Sequence, residues 1–190
     1  RELCLHSLLV AVDNQTAQAL TAQQYQSAQH MTDRLVALRG LVSSSAEQAT
    51  ACLADFYRRF TQEALVIDSW FAVQATNSKA TIDDIRALTQ HEAFTLTNPN
   101  RVRSVLAQFA NANPVQFHGA DGSGYRFVAE KIAELDAINP QIASRLLGAF
   151  SKWKRLESGR QQQALAALQQ LSTQQLSNDT YETLNRLLTS

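Results

Sequence analysis

The stretch of sequence that decides the fold is residues 98–103, which read Asn98-Pro99-Asn100-Arg101-Val102-Arg103. The Asn-Pro pair recurs at 113–114 and at 139–140, and these pairs contain all 3 prolines of the chain. An asparagine side chain caps a helix by accepting hydrogen bonds from the free N–H groups of its first turn. A proline at the next position loses no hydrogen bond and already has a helical φ. Each Asn-Pro pair therefore predicts the start of a helix.

A glycine-rich turn lies between the second and third of these helix starts and reads Gly119-Ala120-Asp121-Gly122-Ser123-Gly124. It has neither a preceding strand nor the Gly-Lys-Ser/Thr ending of a phosphate-binding loop. Glycine readily adopts positive φ, and Asp or Ser favours turns and helix caps. We therefore expect a tight turn, with Asp121 or Ser123 capping the helix that follows.

The rest of the chain has helical periodicity and almost no strand pattern. Thr81 with Asp84 and Ser45 with Gln48 match capping boxes, and Thr32 is a predicted N-cap. The predicted helices are mostly short and closely connected. This pattern favours an all-α fold, a superhelical array of short antiparallel helix pairs of the armadillo or HEAT type. No strict sequence period is visible, so any repeats are degenerate.

Helical spacing also predicts which side chains face inward. An opening helix is expected over residues 3–12. In the later helices, the predicted inward-facing residues include Leu20, Tyr25, Leu65, Trp70, Tyr181 and Leu184.

Length and composition are those of a soluble globular chain. It has 190 residues, of which 45% are apolar and 18% charged. Basic and acidic residues each number 17, for a formal net charge of +0. Nucleic-acid binding is disfavoured, because a phosphate backbone calls for a basic surface. No apolar run approaches the roughly 18 residues that a membrane span needs, and no signal peptide is recognised, so no membrane partner is expected.

The 2 cysteines are Cys4 and Cys52. Their apolar surroundings favour free buried thiols in a reducing compartment, although a disulfide stays possible at this stage. We therefore expect a cytoplasmic protein. The chain begins with Arg1, followed at once by an apolar helical pattern, which suggests a piece of a longer protein.

No catalytic or metal-binding motif is complete. The segment nearest to a zinc-protease helix reads His91-Glu92-Ala93-Phe94-Thr95. Threonine stands where His-Glu-x-x-His needs its second histidine. The other histidines have no ligand partner at a suitable spacing, and Ser123 does not lie in a Gly-x-Ser-x-Gly elbow. We expect neither a metal site nor a nucleophile in this chain.

Two groups of basic residues need an explanation. The first surrounds Trp153 and consists of Lys152, Lys154, Arg155 and Arg160. Such a cluster is more typical of a solvated surface than of a binding site. The second group consists of Arg101, Arg103 and Arg145, each near the start of an Asn-Pro helix, where the helix dipole disfavours a cation. Salt bridges to neighbouring helices, or a binding role towards a carboxylate or carbonyl, would each explain their placement; the residues alone favour salt bridges.

Several distinctive motifs occur in order along the chain. They are Met31-Thr32-Asp33-Arg34, Phe56-Tyr57-Arg58-Arg59-Phe60, Val66-Ile67-Asp68-Ser69-Trp70-Phe71, Asn98-Pro99-Asn100-Arg101-Val102-Arg103, Phe117-His118 with Asp121-Gly122-Ser123-Gly124-Tyr125, and Asn139-Pro140-Gln141-Ile142-Ala143-Ser144-Arg145. Together they closely resemble the C-terminal helical domain of the bacterial aminopeptidase N (alanyl aminopeptidase) family of zinc-dependent exopeptidases. Departures are His30, where asparagine is expected, and Phe60 and Ser69, where Trp and Lys are frequent.

The resemblance implies that residues 1–190 form the C-terminal domain of a longer metalloprotease that removes N-terminal amino acids from peptides. In that family the domain is a helical superhelix that closes over the active-site chamber. Its implied partners are the enzyme's own catalytic domain and peptide substrates. The implied cofactor is zinc, held in the intact enzyme by residues that this chain lacks, so the chain alone would be catalytically inert.

The resemblance also implies substrate-binding residues. In the family, side chains of this domain line the chamber opposite the zinc, and the matching positions here are Arg103, Gln141 and Arg145. A guanidinium group is well suited to bind peptide carbonyls or a terminal carboxylate.

A second hypothesis is a free-standing α-solenoid adaptor that binds a helix or an extended peptide in a concave groove. This hypothesis leaves the matching motifs and the start at Arg1 unexplained. It also fits poorly with the apolar pattern of residues 3–12, because the terminal repeat of a solenoid needs a polar outer face.

Overall fold

A computed structural model describes residues 14–189 of the chain. Within that range all regular secondary structure is helical, with no β-strand, which confirms the all-α class. The predicted opening helix over residues 3–12 and Cys4 lie outside the described residues. The chain divides into two compact units, with the boundary between Lys79 and Ala80.

The first unit has four helices among its described residues. They are α1 (Asn14–Ser27), α2 (Met31–Ser44), α3 (Ala49–Phe60) and α4 (Ala64–Ala75). Helix α1 packs along α2, and α2, α3 and α4 pack against one another. The unit is therefore built from consecutive helices joined by short connections, as an α-solenoid requires.

Two buried aromatic side chains, Tyr25 of α1 and Trp70 of α4, bond these two helices to α3. The hydroxyl of Tyr25 donates to the carbonyl oxygen of Cys52 at 2.9 Å, and its oxygen also lies 3.0 Å from a carboxylate oxygen of Asp55. The indole nitrogen of Trp70 donates to the carbonyl oxygen of Leu53 at 2.9 Å. Each ring thus buries its apolar body and still satisfies its polar atom, as buried Tyr and Trp normally do. Cys52 is a buried free thiol.

The second unit contains the segment around the Asn-Pro pairs. Its described elements are α5 (Ile82–Thr89), α6 (Pro99–Val102), a π-helical turn (Arg103–Ala107), α7 (Gln108–Ala112), α8 (Pro114–Phe117), α9 (Ser123–Asp136), α10 (Pro140–Leu146), two 3₁₀ turns (Leu147–Phe150 and Trp153–Arg155), α11 (Ser158–Ser172) and α12 (Asn178–Thr189). Helix α6, the π-helical turn and α7 follow without interruption, so residues 99–112 form one continuous helix.

An aromatic cluster forms the core of this second unit. The ring of Phe117 lies 6.1 Å from that of Phe109, 5.2 Å from that of Tyr125 and 5.4 Å from that of Phe150. All three pairs are close to edge-to-face, the arrangement that aromatic quadrupoles favour. All four side chains are at most 1% exposed. The short helix α8 is therefore held by Phe117, a fully buried ring of the cluster.

All three Asn-Pro pairs start helices, as predicted. The side-chain oxygen of Asn98 accepts from the backbone N–H of Asn100 at 2.9 Å. Asn113 and Asn139 accept in the same way from residues three positions further on, at 3.3 Å and 3.2 Å. The capping box of Thr81 with Asp84 is also confirmed, since both of its reciprocal hydrogen bonds are present.

The glycine-rich turn has the predicted conformation. Gly122 has a φ of 69°, in the left-handed region that glycine adopts at no steric cost. A Cβ atom on Gly124 would lie 2.6 Å from the carbonyl oxygen of Phe117, so the turn needs glycine there for close backbone approach. A carboxylate oxygen of Asp121 accepts from the backbone N–H of Ser123 at 3.2 Å, at the start of α9.

Two predicted caps in the first unit are wrong. Thr32 lies inside α2, which begins one residue earlier and has His30 at its N-cap position. Ser45 does not open a capping box with Gln48. It has a φ of 57° and ends α2 in the left-handed conformation, with its backbone N–H bonded to the carbonyls of Leu41 and Val42. A residue whose side chain can cap a helix can thus lie inside a helix or at its C-terminal end, because its side chain can also bond to nearby backbone groups there.

The predicted inward-facing residues are partly right. Tyr25, Trp70 and Leu184 are buried, whereas Leu20 is 43%, Leu65 72% and Tyr181 55% exposed. Helical spacing identifies a broad apolar face. Which of its positions touch a neighbour depends on how the helices pack, and the spacing does not determine that.

Candidate functional site

Arg103 has an unusual position in the helix over residues 99–112. Within the run 101–106 every residue is buried except Arg103, which is exposed. A helix that packs by one stripe buries about every third or fourth residue. Here the helix is enclosed on most sides, and the π-helical turn places Ser104, Val105 and Leu106 consecutively in the interior. Arg103 occupies the one open position of this run.

Arg101, two residues earlier, has a structural role. It is only 8% exposed, and its Nε–H donates to the carbonyl oxygen of Ala93 at 2.9 Å. This hydrogen bond ties the start of the helix to the preceding turn. A charge-assisted bond of this kind offsets the small cost of a cation near a helix N-terminus. One partner of the Arg101 guanidinium is therefore a backbone carbonyl of the same unit.

The guanidinium group of Arg103 is held by a neighbour on the same helix. Its Nη1 donates to the side-chain oxygen of Asn100 at 2.9 Å. The backbone N–H of Asn100 is bonded in turn to the capping oxygen of Asn98 at 2.9 Å. A guanidinium has five N–H donors, so this contact leaves donors of Arg103 for another partner.

Gln141 and Arg145 lie together on α10. They are four residues apart, so they share one face of the helix, and both are exposed. Among residues 14–189 the structure gives neither side chain a hydrogen bond or an ion pair. The helix dipole does not disfavour Arg145, contrary to the prediction from sequence. Helix α10 ends at Leu146, so Arg145 lies in its last turn, where the dipole favours a cation.

The three predicted substrate-binding residues thus lie on two separate helices of the second unit. Helix α10 joins Gln141 to Arg145, and it packs mainly against α9, α12 and the 3₁₀ turn Leu147–Phe150. The π-helical turn with Arg103 packs mainly against α5 and against its own helical neighbours. Each helix presents a cationic side chain at an exposed position.

A His-Tyr pair accounts for the motif that contains Phe117-His118 and Tyr125. The Nδ1 atom of His118 lies 2.8 Å from the hydroxyl oxygen of Tyr125. Burial, and then the positive charge of Arg160, lower the pKa of His118, and burial raises the pKa of Tyr125 to about 12. The pair is therefore uncharged at neutral pH and serves packing. The sequence shows both residues but not their contact.

The basic cluster around Trp153 also has structural contacts. The Nε–H of Arg160 donates to the carbonyl oxygen of His118 at 2.6 Å. The indole of Trp153 donates to the carbonyl oxygen of Leu187 at 3.1 Å, near the end of α12. Donors at that position satisfy carbonyls that a helix end leaves free. Arg160 of this cluster and the adjacent Trp153 therefore help to hold the second unit together.

No group of three or more His, Cys, Asp or Glu side chains within residues 14–189 is arranged to hold a metal ion. The described residues therefore offer no ligand set for zinc, and no chemical step through zinc is derived for this chain. None of the described helices is long and apolar enough to cross a membrane.

Short helices packed in sequence are typical of an α-solenoid of the armadillo class. The chain belongs to the family described as a domain of unknown function (DUF3458_C) with ARM repeats, whose model matches residues 1–189.

The chain is similar to proteins named Aminopeptidase N from several bacteria. The chain is 39% identical over 190 residues to Aminopeptidase N of Escherichia coli K12. It is 37% identical over 190 residues to Aminopeptidase N of Haemophilus influenzae. Each alignment covers 99% of this chain and 22% of the relative. This chain therefore corresponds to about a fifth of those proteins.

A solved structure gives the same relationship. The chain matches the crystal structure of Legionella pneumophila aminopeptidase A in complex with aspartic acid, with a TM-score of 0.91 and 30% sequence identity. The match covers 98% of this chain and 22% of that one. The fold described here is therefore found as part of a larger aminopeptidase.

Proposed function

We propose that this chain is the C-terminal helical domain of a zinc-dependent aminopeptidase that removes N-terminal amino acids from peptides. The observation that carries the proposal is the similarity to Aminopeptidase N along 99% of the chain. In this proposal residues 1–190 cap the active-site chamber and line it opposite the zinc. The same similarity favours this function over a free-standing adaptor.

The proposal assigns the chemistry of bond cleavage to the rest of the longer protein. Zinc and its ligands lie there, so the partners of this chain are its own catalytic domain and the peptide substrate. The proposed location is the cytoplasm, where short peptides are broken down and where a buried free thiol such as Cys52 stays reduced.

Within the chamber, Arg103, Gln141 and Arg145 are the proposed substrate-binding residues. All three are exposed, so a substrate can reach them. Arg103 retains free N–H donors beside its contact with Asn100. The guanidinium of Arg145 and the amide of Gln141 have no partner among the described residues. Their donors suit the carbonyl groups and the terminal carboxylate of a peptide.

Replacing Arg145 with alanine in the longer enzyme tests this role. We expect kcat/KM for an alanyl peptide to fall about ten-fold or more, since a charge-assisted hydrogen bond contributes about 1.5 kcal/mol or more. Turnover of alanyl anilide should change far less, because this small substrate does not extend to the far wall of the chamber. Steady-state kinetics with the two substrates measure the difference.

Arg155→Ala is the matched control, because Arg155 is an exposed arginine of the same unit without a proposed contact to substrate. It should leave both activities unchanged. Equal losses on the peptide and on the anilide with Arg145→Ala would contradict the substrate-binding role of Arg145.

A further inference from the structure

The π-helical turn Arg103–Ala107 is the least regular part of the candidate site. Such turns are rare, and they occur mostly as single-turn bulges inside α-helices, frequently at functional sites. In this helix the turn follows the short segment Pro99–Val102, and its first residue is the exposed Arg103. The residues on either side of Arg103, Val102 and Ser104, are 1% and 6% exposed. The backbone that carries Arg103 is therefore fixed by packing on both sides.

The side chain of Arg103 would be mobile without a further contact, because a long exposed arginine samples many rotamers and loses that freedom on binding. Asn100 supplies the contact, through its side-chain oxygen at 2.9 Å from Nη1. Asn100 itself lies in the first turn of the helix, where its backbone N–H is bonded to Asn98. The acceptor thus belongs to a capped and well-defined turn.

Arg145 provides a contrast within the same unit. It is exposed like Arg103, but the structure gives its guanidinium no partner among residues 14–189. One candidate arginine is therefore oriented before a substrate arrives, and the other is not. Pre-orientation strengthens binding because less freedom is lost when the complex forms.

We propose that Asn100 is a positioning residue that orients the guanidinium of Arg103 towards an oxygen acceptor of the bound peptide. Asn100 accepts one N–H, which leaves the remaining donors of the planar guanidinium for a carboxylate or a carbonyl oxygen. This inference rests on the proposed function, because it needs Arg103 to face a substrate.

The test is a double-mutant cycle in the longer enzyme with Asn100→Ala, Arg103→Ala and the double variant. The substrates are an alanyl tripeptide with a free C-terminal carboxylate and the same tripeptide with a C-terminal amide. Asn100→Ala should raise KM for the peptide about three- to ten-fold, the value of one ordinary hydrogen bond, with kcat unchanged. In the Arg103→Ala background the same substitution should have no further effect, since Asn100 acts through Arg103.

The comparison of the two peptides identifies the acceptor. A larger effect on the free acid assigns the terminal carboxylate, and equal effects assign a backbone carbonyl. Asn111→Ala is the matched control, because Asn111 is an exposed asparagine later in the same continuous helix, bonded to the carbonyl of Ala107. It should leave KM unchanged for both peptides.

Two results would overturn the inference in distinguishable ways. If Asn100→Ala and Arg103→Ala raise KM additively, Asn100 does not position Arg103, although Arg103 still contacts substrate. If Arg103→Ala leaves KM unchanged with both peptides, Arg103 does not face a substrate at all, and this part of the proposed function fails as well.

Discussion

Replacing Asp136 with alanine is expected to lower the free energy of unfolding by about 3–5 kcal/mol, because it removes a buried carboxylate that accepts three hydrogen bonds at once. Asp136 is the last residue of α9 and is only 5% exposed. Its carboxylate accepts from the backbone N–H and the hydroxyl of Ser177, each at 2.6 Å, and from the hydroxyl of Thr180. These donors lie at the start of α12.

The same contacts determine how this contribution depends on pH. Burial alone would raise the pKa of Asp136, but the hydrogen bonds from Ser177 and Thr180 hold it below the ordinary value. A carboxyl group with a lowered pKa in the folded state stabilises the protein above the unfolded pKa of about 3.9. That stabilisation is lost as the pH falls through the folded value. The difference between wild type and Asp136→Ala should therefore be full at pH 7 and shrink below about pH 4.

Urea denaturation of the two proteins at pH 7 measures the effect. Asp83→Ala is the control, because Asp83 is an exposed acidic residue in the first turn of α5. Its loss should cost only a few tenths of a kcal/mol, the usual size of a helix-dipole contribution. A cost below about 1 kcal/mol for Asp136→Ala, the value of one ordinary hydrogen bond, would show that the carboxylate does not hold α9 and α12 together.

Phe117→Ala is expected to lower the free energy of unfolding by a similar amount, about 3–5 kcal/mol, the usual cost of truncating a buried phenylalanine. The ring of Phe117 is fully buried and packs against the rings of Phe109, Tyr125 and Phe150, as well as that of His118. Removing it leaves a cavity at the centre of the cluster, which the surrounding rings can fill only in part.

Val115→Ala is a close control for this prediction. Val115 lies in the same short helix α8, but its side chain is 60% exposed. Truncating it should change the free energy of unfolding by no more than about 0.5 kcal/mol. Denaturation of both variants under the same conditions gives the comparison. Similar losses for Phe117→Ala and Val115→Ala would contradict the central position of the Phe117 ring.

The parts of the fold that could be predicted from sequence are those set by local hydrogen bonds. An Asn-Pro pair specifies its own helix start, because the capping oxygen and the N–H groups it satisfies lie within a few residues. Gly122 was predictable for the same reason, since positive φ is a property of one residue. Thr32 and Ser45 show the limit of this reasoning. Both have side chains that can cap a helix N-terminus. In the structure, however, Thr32 lies within helix α2 and Ser45 lies at the C-terminal end of that helix.

The features that were missed depend on packing between distant segments. Leu65 has the spacing of a core residue and is 72% exposed, because no described helix covers that side of α4. The π-helical turn at Arg103 has no sequence pattern of its own. The position at which α10 ends was also not predictable from sequence. That position determines whether Arg145 lies near the N-terminus of the helix, where the dipole disfavours a cation, or near its C-terminus, where the dipole favours one.

The candidate site could not be predicted from local hydrogen bonds or from helical spacing. The residues alone favoured salt bridges for the arginines, and only the resemblance to a family indicated Arg103, Gln141 and Arg145. The structure adds their exposure and the contact between Asn100 and Arg103. The fixed orientation of Arg103 is a property that neither the pattern nor the resemblance contained.

The most direct test of the central claim uses the native protein, isolated from its source with an antibody to this chain. Its intact mass and its hydrolysis of alanyl anilide, with and without a zinc chelator, are measured together. The account predicts a mass several times the 21.0 kDa of this chain, with activity that the chelator abolishes. A native product of about 21 kDa without such activity would contradict the account and would favour the free-standing peptide-binding solenoid.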